Sequence, residues 1–532
     1  MIIFNAMMDA DRHSEGSFSD DLPPSSGSSL LPLEHPFIYP WTMMGTQGIL
    51  LAVLINVCLL LCISVDCYHR RLLGGATIGR LPPGPVGLPF LGSLLELRGN
   101  PIQRLRELAV RYGPVLTIKL GFVRIFVLSE VDVIHEALVT QGVVFNDRPS
   151  FLGVLSGSGS KRGIVALEYG PFHRYQRQFI VEIMRTLGIG RKKGEKYFKR
   201  SLTELCQYLT ESDGKPLNAR TTVSHYVFCG FFVFLFGFSC VDNESLIELR
   251  DSLAEFLHLN PVLILASTVL PKFLVQKFMT GKKKLTDCFL ELLQKRRQRY
   301  QDQAWPTQAD TVWESYLDGI VGIQQRFTKP VNTSSSDDGN HDNRKHSSSG
   351  EKAAAALAPD EHFINVLFDF FVVGSETALL GLLWALQMVM LHPQWQRRIQ
   401  DELDQVVGAE NIPSLSHKSR LHVTMATITE TYRYRPVSAL GAPHRVMQDT
   451  ILKGHLIPEG SYVLTNIYAA HHDSQRSCPG ENWTRSLMFL FTTTILKSFT
   501  LTFPDNEELP DPMGQPGINY SPCDFKICAT PR

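Results

Sequence analysis

The chain has 532 residues, 44% of them hydrophobic, with 52 basic and 52 acidic side chains and no net formal charge. That length can bury one large core or about two to three ordinary domains. Balanced charge argues against a nucleic-acid partner, because phosphate binding needs a basic surface. The short basic runs at Lys192–Lys193 and Lys282–Lys284 read as solvated helix faces. Ten cysteines without close CxxC pairing argue against a disulfide framework and a zinc site, and for a reducing compartment around the body of the chain.

In chain order, residues 1–47 form a leader whose Ser, Pro and Asp content predicts disorder; Met43 and Met44 offer a later start. Residues 48–65, GILLAVLINVCLLLCISV, carry no charge. As a helix they reach about 27 Å, close to the hydrocarbon thickness of a bilayer. Arg70 and Arg71 follow and acidic residues precede, so the positive-inside bias predicts a single-pass transmembrane helix with the body in the cytosol. A cleaved signal peptide is the alternative, but the segment begins late for one. Residues 66–86 form a basic, Pro-rich hinge, in which Pro82, Pro83 and Pro85 predict a stiff extended spacer. A catalytic domain is expected over 87–532.

Inside it, VLTIKLGFVRIFVLS alternates and is β-branched, which predicts a hairpin turning near Gly121. From about 165 to 300 the pattern is helical. Residues 258–275, apolar despite two prolines, read either as a buried loop or as a surface dipping into the membrane. The polar, low-complexity stretch 330–360 predicts a flexible linker. Residues 360–393 give the longest helical run, apolar nearly all round and so expected through the middle of the fold. A charged amphipathic helix follows, ended by Gly408.

Within the 360–393 helix, Gly374-Ser-Glu-Thr377 is a polar island, costly unless solvated or paired. One reading is a kink, with Thr377 bonded back to a carbonyl. The other is a proton relay, in which Gly374 lets a small ligand approach, Thr377 holds a water and Glu376 supplies protons. In ITETYRYRPVSALGAPHR, Glu430 and Arg433 are three apart on a helix and meet on one face. Pro436 stops that helix, and the alternation after APHR predicts a small sheet. Arg148 lies in VFNDRPSF, and Arg177 falls one turn beyond His173 on a helix opened by Gly170-Pro171; each is either a carboxylate partner or a plain surface arginine. Cys478 is either one more thiol or a haem ligand. A ligating sulfur must stay ionised and accept backbone N–H bonds, and Gly480 with a following helix start suits that need.

Together the anchor, the PPGP hinge, FNDRPSF, YGPFHRYQRQF, VVGSETA, ETYR, APHR and RSCPGE resemble a microsomal cytochrome P-450, from about residue 46 to 532. The resemblance implies a mainly α fold with small β-sheets (α+β) behind an N-terminal transmembrane anchor. It implies a haem-thiolate monooxygenase at the endoplasmic reticulum membrane, hydroxylating small lipophilic substrates such as a fatty acid, steroid or xenobiotic. O2 and electrons from an NADPH-dependent cytochrome reductase, or a cytochrome b-type donor, complete the reaction. Carried across, it makes Cys478 the axial haem ligand with Gly480 beside it. Arg148, Arg177, His444 and Arg476 become propionate partners, and His173 stands where the family usually has Trp. Glu376 and Thr377, with Gly374, become the acid–alcohol pair that delivers protons, and Glu430 and Arg433 the structural pair of the haem-side core.

The stretch before the cysteine departs from that pattern. The family reads Phe-x-x-Gly-x-Arg-x-Cys-x-Gly; here His471 and Ser474 stand at the Phe and Gly positions. Only Ser474 and Gln475 separate Asp473 from Arg476, a span of at most roughly 7 Å. The family has a few dozen more residues there, including an arginine that completes a partly buried cluster with Glu430 and Arg433. A catalytically impaired isoform or gene-model product of the same fold is therefore the alternative. A transporter is disfavoured, since Asp369 and Glu376 interrupt the one other long apolar helix.

Overall fold

The computed structural model describes residues 80–88, 91–121, 123–150, 152, 163–238, 272–302, 313–328, 343–409, 411–470, 478–517 and 519–532. The leader, the membrane segment, most of the hinge, residues 258–271 and Arg476 lie outside the described residues.

The end of the hinge is extended, as its prolines require, and is pinned to the first strand. The Thr117 N–H donates to the Pro83 carbonyl at 2.7 Å, and the Thr117 hydroxyl to the Pro82 carbonyl at 2.7 Å. Gly84 is needed there, because a Cβ would come within 1.8 Å of the Thr117 oxygen. The expected hairpin forms from β1 (Val115–Leu120) and β2 (Val123–Leu128), with Gly121 at φ 61° in its turn.

The longer helices follow: α1 (Pro101–Tyr112), α2 (Pro171–Thr186), α3 (Lys196–Glu211), α4 (Ala219–Phe236), α5 (Lys272–Asp302), α6 (Tyr316–Thr328), α7 (Asn343–Ala356), α8 (Asp360–Phe368), α9 (Ser375–Leu391), α10 (Pro393–Val407), α11 (His422–Tyr434) and α12 (Glu481–Ser498). Their limits carry local reasons. Asn100 caps α1 by accepting from the Ile102 and Gln103 amides. Pro171 sits in the first turn of α2, where its missing N–H costs nothing. Gly408 ends α10 at φ 84°.

One expectation fails. The stretch 330–360 is not flexible linker throughout, because its second half is α7. The run Ala353–Ala356 favours helix strongly. Its last two residues are fully buried, and the Gln176 side chain of α2 donates to the Ala355 carbonyl at 2.5 Å.

Short strands complete the fold: β3 (Leu217–Asn218), β4 (His444–Arg445), β5 (Thr450–Leu452), β6 (His455–Ile457), β7 (Tyr462–Thr465), β8 (Phe499–Thr502) and β9 (Lys526–Pro531). One sheet runs β1-β2-β7-β4, with β2 and β7 parallel and β4 antiparallel to β7. The others are β3-β9-β8 and the hairpin β5-β6. The stretch after APHR is therefore the sheet that its alternation predicts. The central run is α8, a π-helical turn at Asp369–Gly374, and α9. It is packed by α4, α11 and α12, and its burial is the expected one.

Candidate functional site

Between His362 and Met390 every residue of the central run is buried except Val373, Gly374 and Thr377, which are partly open. A helix enclosed on all other sides thus leaves one strip uncovered, at the polar island. The island has a double structure. The π turn ends at Gly374, and both hydroxyls bond back: Ser375 to the Phe371 carbonyl at 2.5 Å and Thr377 to the Gly374 carbonyl at 3.3 Å. This is the kink reading. Glu376 is fully buried, and Oε1 accepts from Arg220 Nη1 of α4 at 2.9 Å. The Arg220 side chain is 29% exposed, so the pair joins the interior to solvent. The pair is thus the buried acid's link to the surface. Gly374 has a packing reason as well, since a Cβ would stand 3.2 Å from the Phe231 ring.

Cys478 is exposed and lies just before α12. The Glu481 N–H donates to the Cys478 carbonyl at 3.1 Å, closing the first turn. Gly480 has φ −81°, which any residue adopts, so its conformation demands no glycine. A Cβ there would touch the Cys478 sulfur at 3.7 Å; glycine keeps that side of the sulfur clear. The helix start is held by Trp483, 1% exposed, whose ring lies 4.4 Å from Phe234, 4.5 Å from Phe198 and 4.7 Å from Phe231. Three aromatic contacts from α3 and α4 fix where the cysteine begins.

The basic residues expected around a cofactor group at two places. Arg148 Nη1 donates to the Pro443 carbonyl at 2.8 Å and to the Ala442 carbonyl at 3.2 Å. His444 is buried, and its Nδ1 meets the Phe145 carbonyl at 2.7 Å, so Nδ1 carries the hydrogen. These two residues lock 145–148 onto 442–444. Between them lies Asp147, 2% exposed, which accepts from Arg445 Nε at 2.7 Å and from the Tyr169 amide at 3.1 Å. The Tyr169 ring is 5.8 Å from His173 on α2, and half-buried Arg177 follows one turn later. Sequence reasoning missed Asp147 and Arg220. Asp147 adjoins Arg148 in the same motif, while Arg220 has no local signal.

Glu430 and Arg433 do form a bidentate pair, at 2.5 and 2.7 Å. Their side chains are 59% and 38% exposed, so the pair lies at the surface and carries little stability. The resemblance places this pair in a partly buried cluster with a further arginine that the chain lacks; here the pair itself is exposed. The buried arginine of this helix end is Arg435, which donates to the Pro512 carbonyl at 2.9 Å and stacks 4.0 Å over Tyr434. Among the described residues no group of three or more His, Cys, Asp or Glu is placed to hold a free metal ion.

The model of the cytochrome P450 family matches residues 82–476. The chain belongs to the cytochrome P450 family. Mouse cytochrome P450 2D10 is 27% identical over 520 residues, covering 88% of this chain and 95% of that protein. Cytochrome P450 2D6 of Pan paniscus is 28% identical over 541 residues, covering 92% and 100%. Two solved structures of a zebra fish cytochrome P450 share the fold. The one with progesterone has a TM-score of 0.67 at 23% identity, covering 82% of this chain and all of that one. The one with abiraterone has 0.65 at 24%, covering 81% of this chain.

As a cytochrome P450 the chain is a haem-dependent monooxygenase. The residues present fit a haem on two counts. The central helix leaves one strip uncovered, and a cysteine stands at a helix start with glycine clearing its sulfur.

Proposed function

We propose that this cytochrome P450 is a membrane-anchored enzyme of the endoplasmic reticulum that hydroxylates small lipophilic molecules. O2, two protons and two electrons convert a C–H bond to C–OH and release one water. The electrons come from an NADPH-dependent cytochrome reductase, with a cytochrome b-type donor as second source. Anchoring rests on residues 48–65, whose length and lack of charge match a bilayer. Cys478 is assigned as haem ligand, and Arg148, His173, Arg177, His444 and Arg476 as the propionate side. A haem bound there supplies a thiolate-ligated iron suited to O–O cleavage.

The observation that carries the reading is the uncovered strip backed by a buried acid. Thr377 Oγ1 stands on the strip and holds a proton there. Glu376, adjacent in the chain, exchanges protons with solvent water beside the half-open Arg220, which stays protonated and holds the carboxylate in place. The enclosing apolar walls keep bulk water from the reacting centre and favour a lipophilic substrate. Glu376→Gln keeps the shape and removes the acid. Its kcat is expected to fall by about 100-fold, the size of a general-acid contribution, with KM unchanged. A raised KM with kcat unchanged would sink the relay.

A second reading, of an impaired product of the same fold, has its own observation. Seven residues, 471–477, separate Ala470 from Cys478, and the family match ends at 476. The aligned stretch with the Pan paniscus relative, 541 positions, exceeds the whole chain of 532, so that relative carries residues with no counterpart here. Sequencing the transcript across codons 470–480 decides. An in-frame insertion of a few dozen codons would remove this reading.

A further inference from the structure

Arg344-Lys345-His346 followed by Ser347-Ser348-Ser349 makes the first half of α7 a basic run joined to a run of hydroxyls. Many serine kinases read such a pattern. Acidic side chains in their cleft hold basic residues two and three places before the acceptor hydroxyl, and the stretch is taken in extended form. Among the described residues, two hydroxyls stand at that spacing after adjacent Lys or Arg residues: Thr286 after Lys283-Lys284, and Ser347 after Arg344-Lys345. The structure separates them.

Thr286 lies inside α5, a helix of 31 residues, and its hydroxyl donates back to the Lys283 carbonyl at 2.9 Å. The other face of that turn is fastened. Leu285 and Phe289 are fully buried. Lys282 is only 4% exposed, so the solvated face expected of Lys282–Lys284 fails at its first position. Its Nζ donates to Asn365 Oδ1 at 2.7 Å and lies 4.5 Å from the centre of the Phe368 ring, with buried Asp369 beside it. Drawing this turn into a cleft would uncover two core side chains and a buried charge.

The helix α7 is held differently. Its far end is tied down, with Ala355 and Ala356 buried and the Ala355 carbonyl bonded to Gln176 of α2, whereas Gly350 and Glu351 are exposed. The first turns have little of their own to hold them. Asn, His and Ser are weak helix formers, and Arg344 and Lys345 set positive charge against the positive end of the helix dipole. A helix of 14 residues is marginal without packing. Residues 343–349 therefore open into an extended form at low cost.

We propose that Ser347 is a phosphorylation site for a serine kinase that reads basic residues, and that the phosphate firms the start of α7. This does not depend on the monooxygenase reading. ATP supplies the phosphoryl group. The bond between its γ-phosphorus and the bridging oxygen breaks, an Oγ–P bond forms on Ser347, ADP leaves, and the hydroxyl proton passes to the kinase's base. The phosphate carries about −1.5 to −2 charge. On α7 it stands one turn after Arg344 and towards the positive end of the dipole, both favourable; Glu351, four places on, opposes it. A firmer α7 bears through Ala355 on α2, the helix of His173 and Arg177.

The test incubates the purified full-length protein with Mg-ATP and the catalytic subunit of the cyclic-AMP-dependent protein kinase, and maps phosphate by peptide mass spectrometry. Phosphate is expected on Ser347, with Thr286 unlabelled. Ser347→Ala should remove the label. Arg344→Gln with Lys345→Gln should slow labelling at least about tenfold, the size of one hydrogen bond to a charged group. Amide hydrogen exchange over residues 345–352 should slow in the phosphorylated protein. No phosphate on Ser347, phosphate mainly on Thr286 or another serine, or labelling undiminished by the paired substitution overturns the site. Exchange that stays the same or quickens overturns the firming of α7.

Discussion

At the scale of residues, the buried acid Glu376 and its distant partner Arg220 decide most. The two are 156 positions apart, and nothing around Arg220 in the sequence marks it. Glu376 was legible because a carboxylate in an apolar helix needs an explanation; its partner was not, because pairing across α4 and α9 is a property of the fold. Arg220→Met removes the ion-pair partner of a buried carboxylate, which should cost about 3–5 kcal/mol in urea unfolding. Adding Glu376→Gln should recover most of that loss; additive losses would show that the pair is not coupled. The Lys282 group gives a pH signature. Burial pushes the Asp369 carboxyl up to about 6, against the Val165 and Ile164 amides, so its stabilising contribution is present at acid pH and lost as pH rises through about 6. Lys282 behaves oppositely: its contribution is present above the ordinary lysine value and lost as pH falls through about 8. The parent should therefore gain stability as pH rises from about 8 to 10.5, and Lys282→Met should lose that gain. A gain of equal size in the variant would contradict the burial of this charge.

At the scale of elements, the central helix was readable from its apolar length, and the hairpin β1–β2 from its alternation. The π turn at Asp369–Gly374 was not, since one residue more per turn leaves no mark in a run that is apolar all round. It fixes which residues share the strip. Gly374 lies at its end, against Phe231. Gly374→Val should destabilise the protein by about 1–3 kcal/mol through overpacking, and Phe231→Leu should relieve much of it. An unchanged melting point for Gly374→Val would mean that α4 and the turn are not in contact. The helix α7 shows the opposite limit. Low complexity in 330–360 argued for a linker, yet its alanines fold once α2 offers a surface.

At the scale of the whole molecule, the family was legible from motifs in order, and the match over residues 82–476 bears it out. Motif order survives low identity because each motif answers a local need: a capped helix start, a proline-stiffened hinge, a glycine beside a sulfur. The burial of the Glu430–Arg433 pair was not legible, because burial depends on what covers a helix end; here it is Arg435 that is covered. What the whole chain must still deliver is a haem held by Cys478 despite seven residues between Ala470 and the cysteine. The direct measurement is the ferrous–CO difference spectrum of the purified full chain, beside that of Cys478→Ser. A red-shifted Soret band in the parent, absent in Cys478→Ser, is the expected result. A chain that purifies without haem, or a band that Cys478→Ser leaves unchanged, would contradict it.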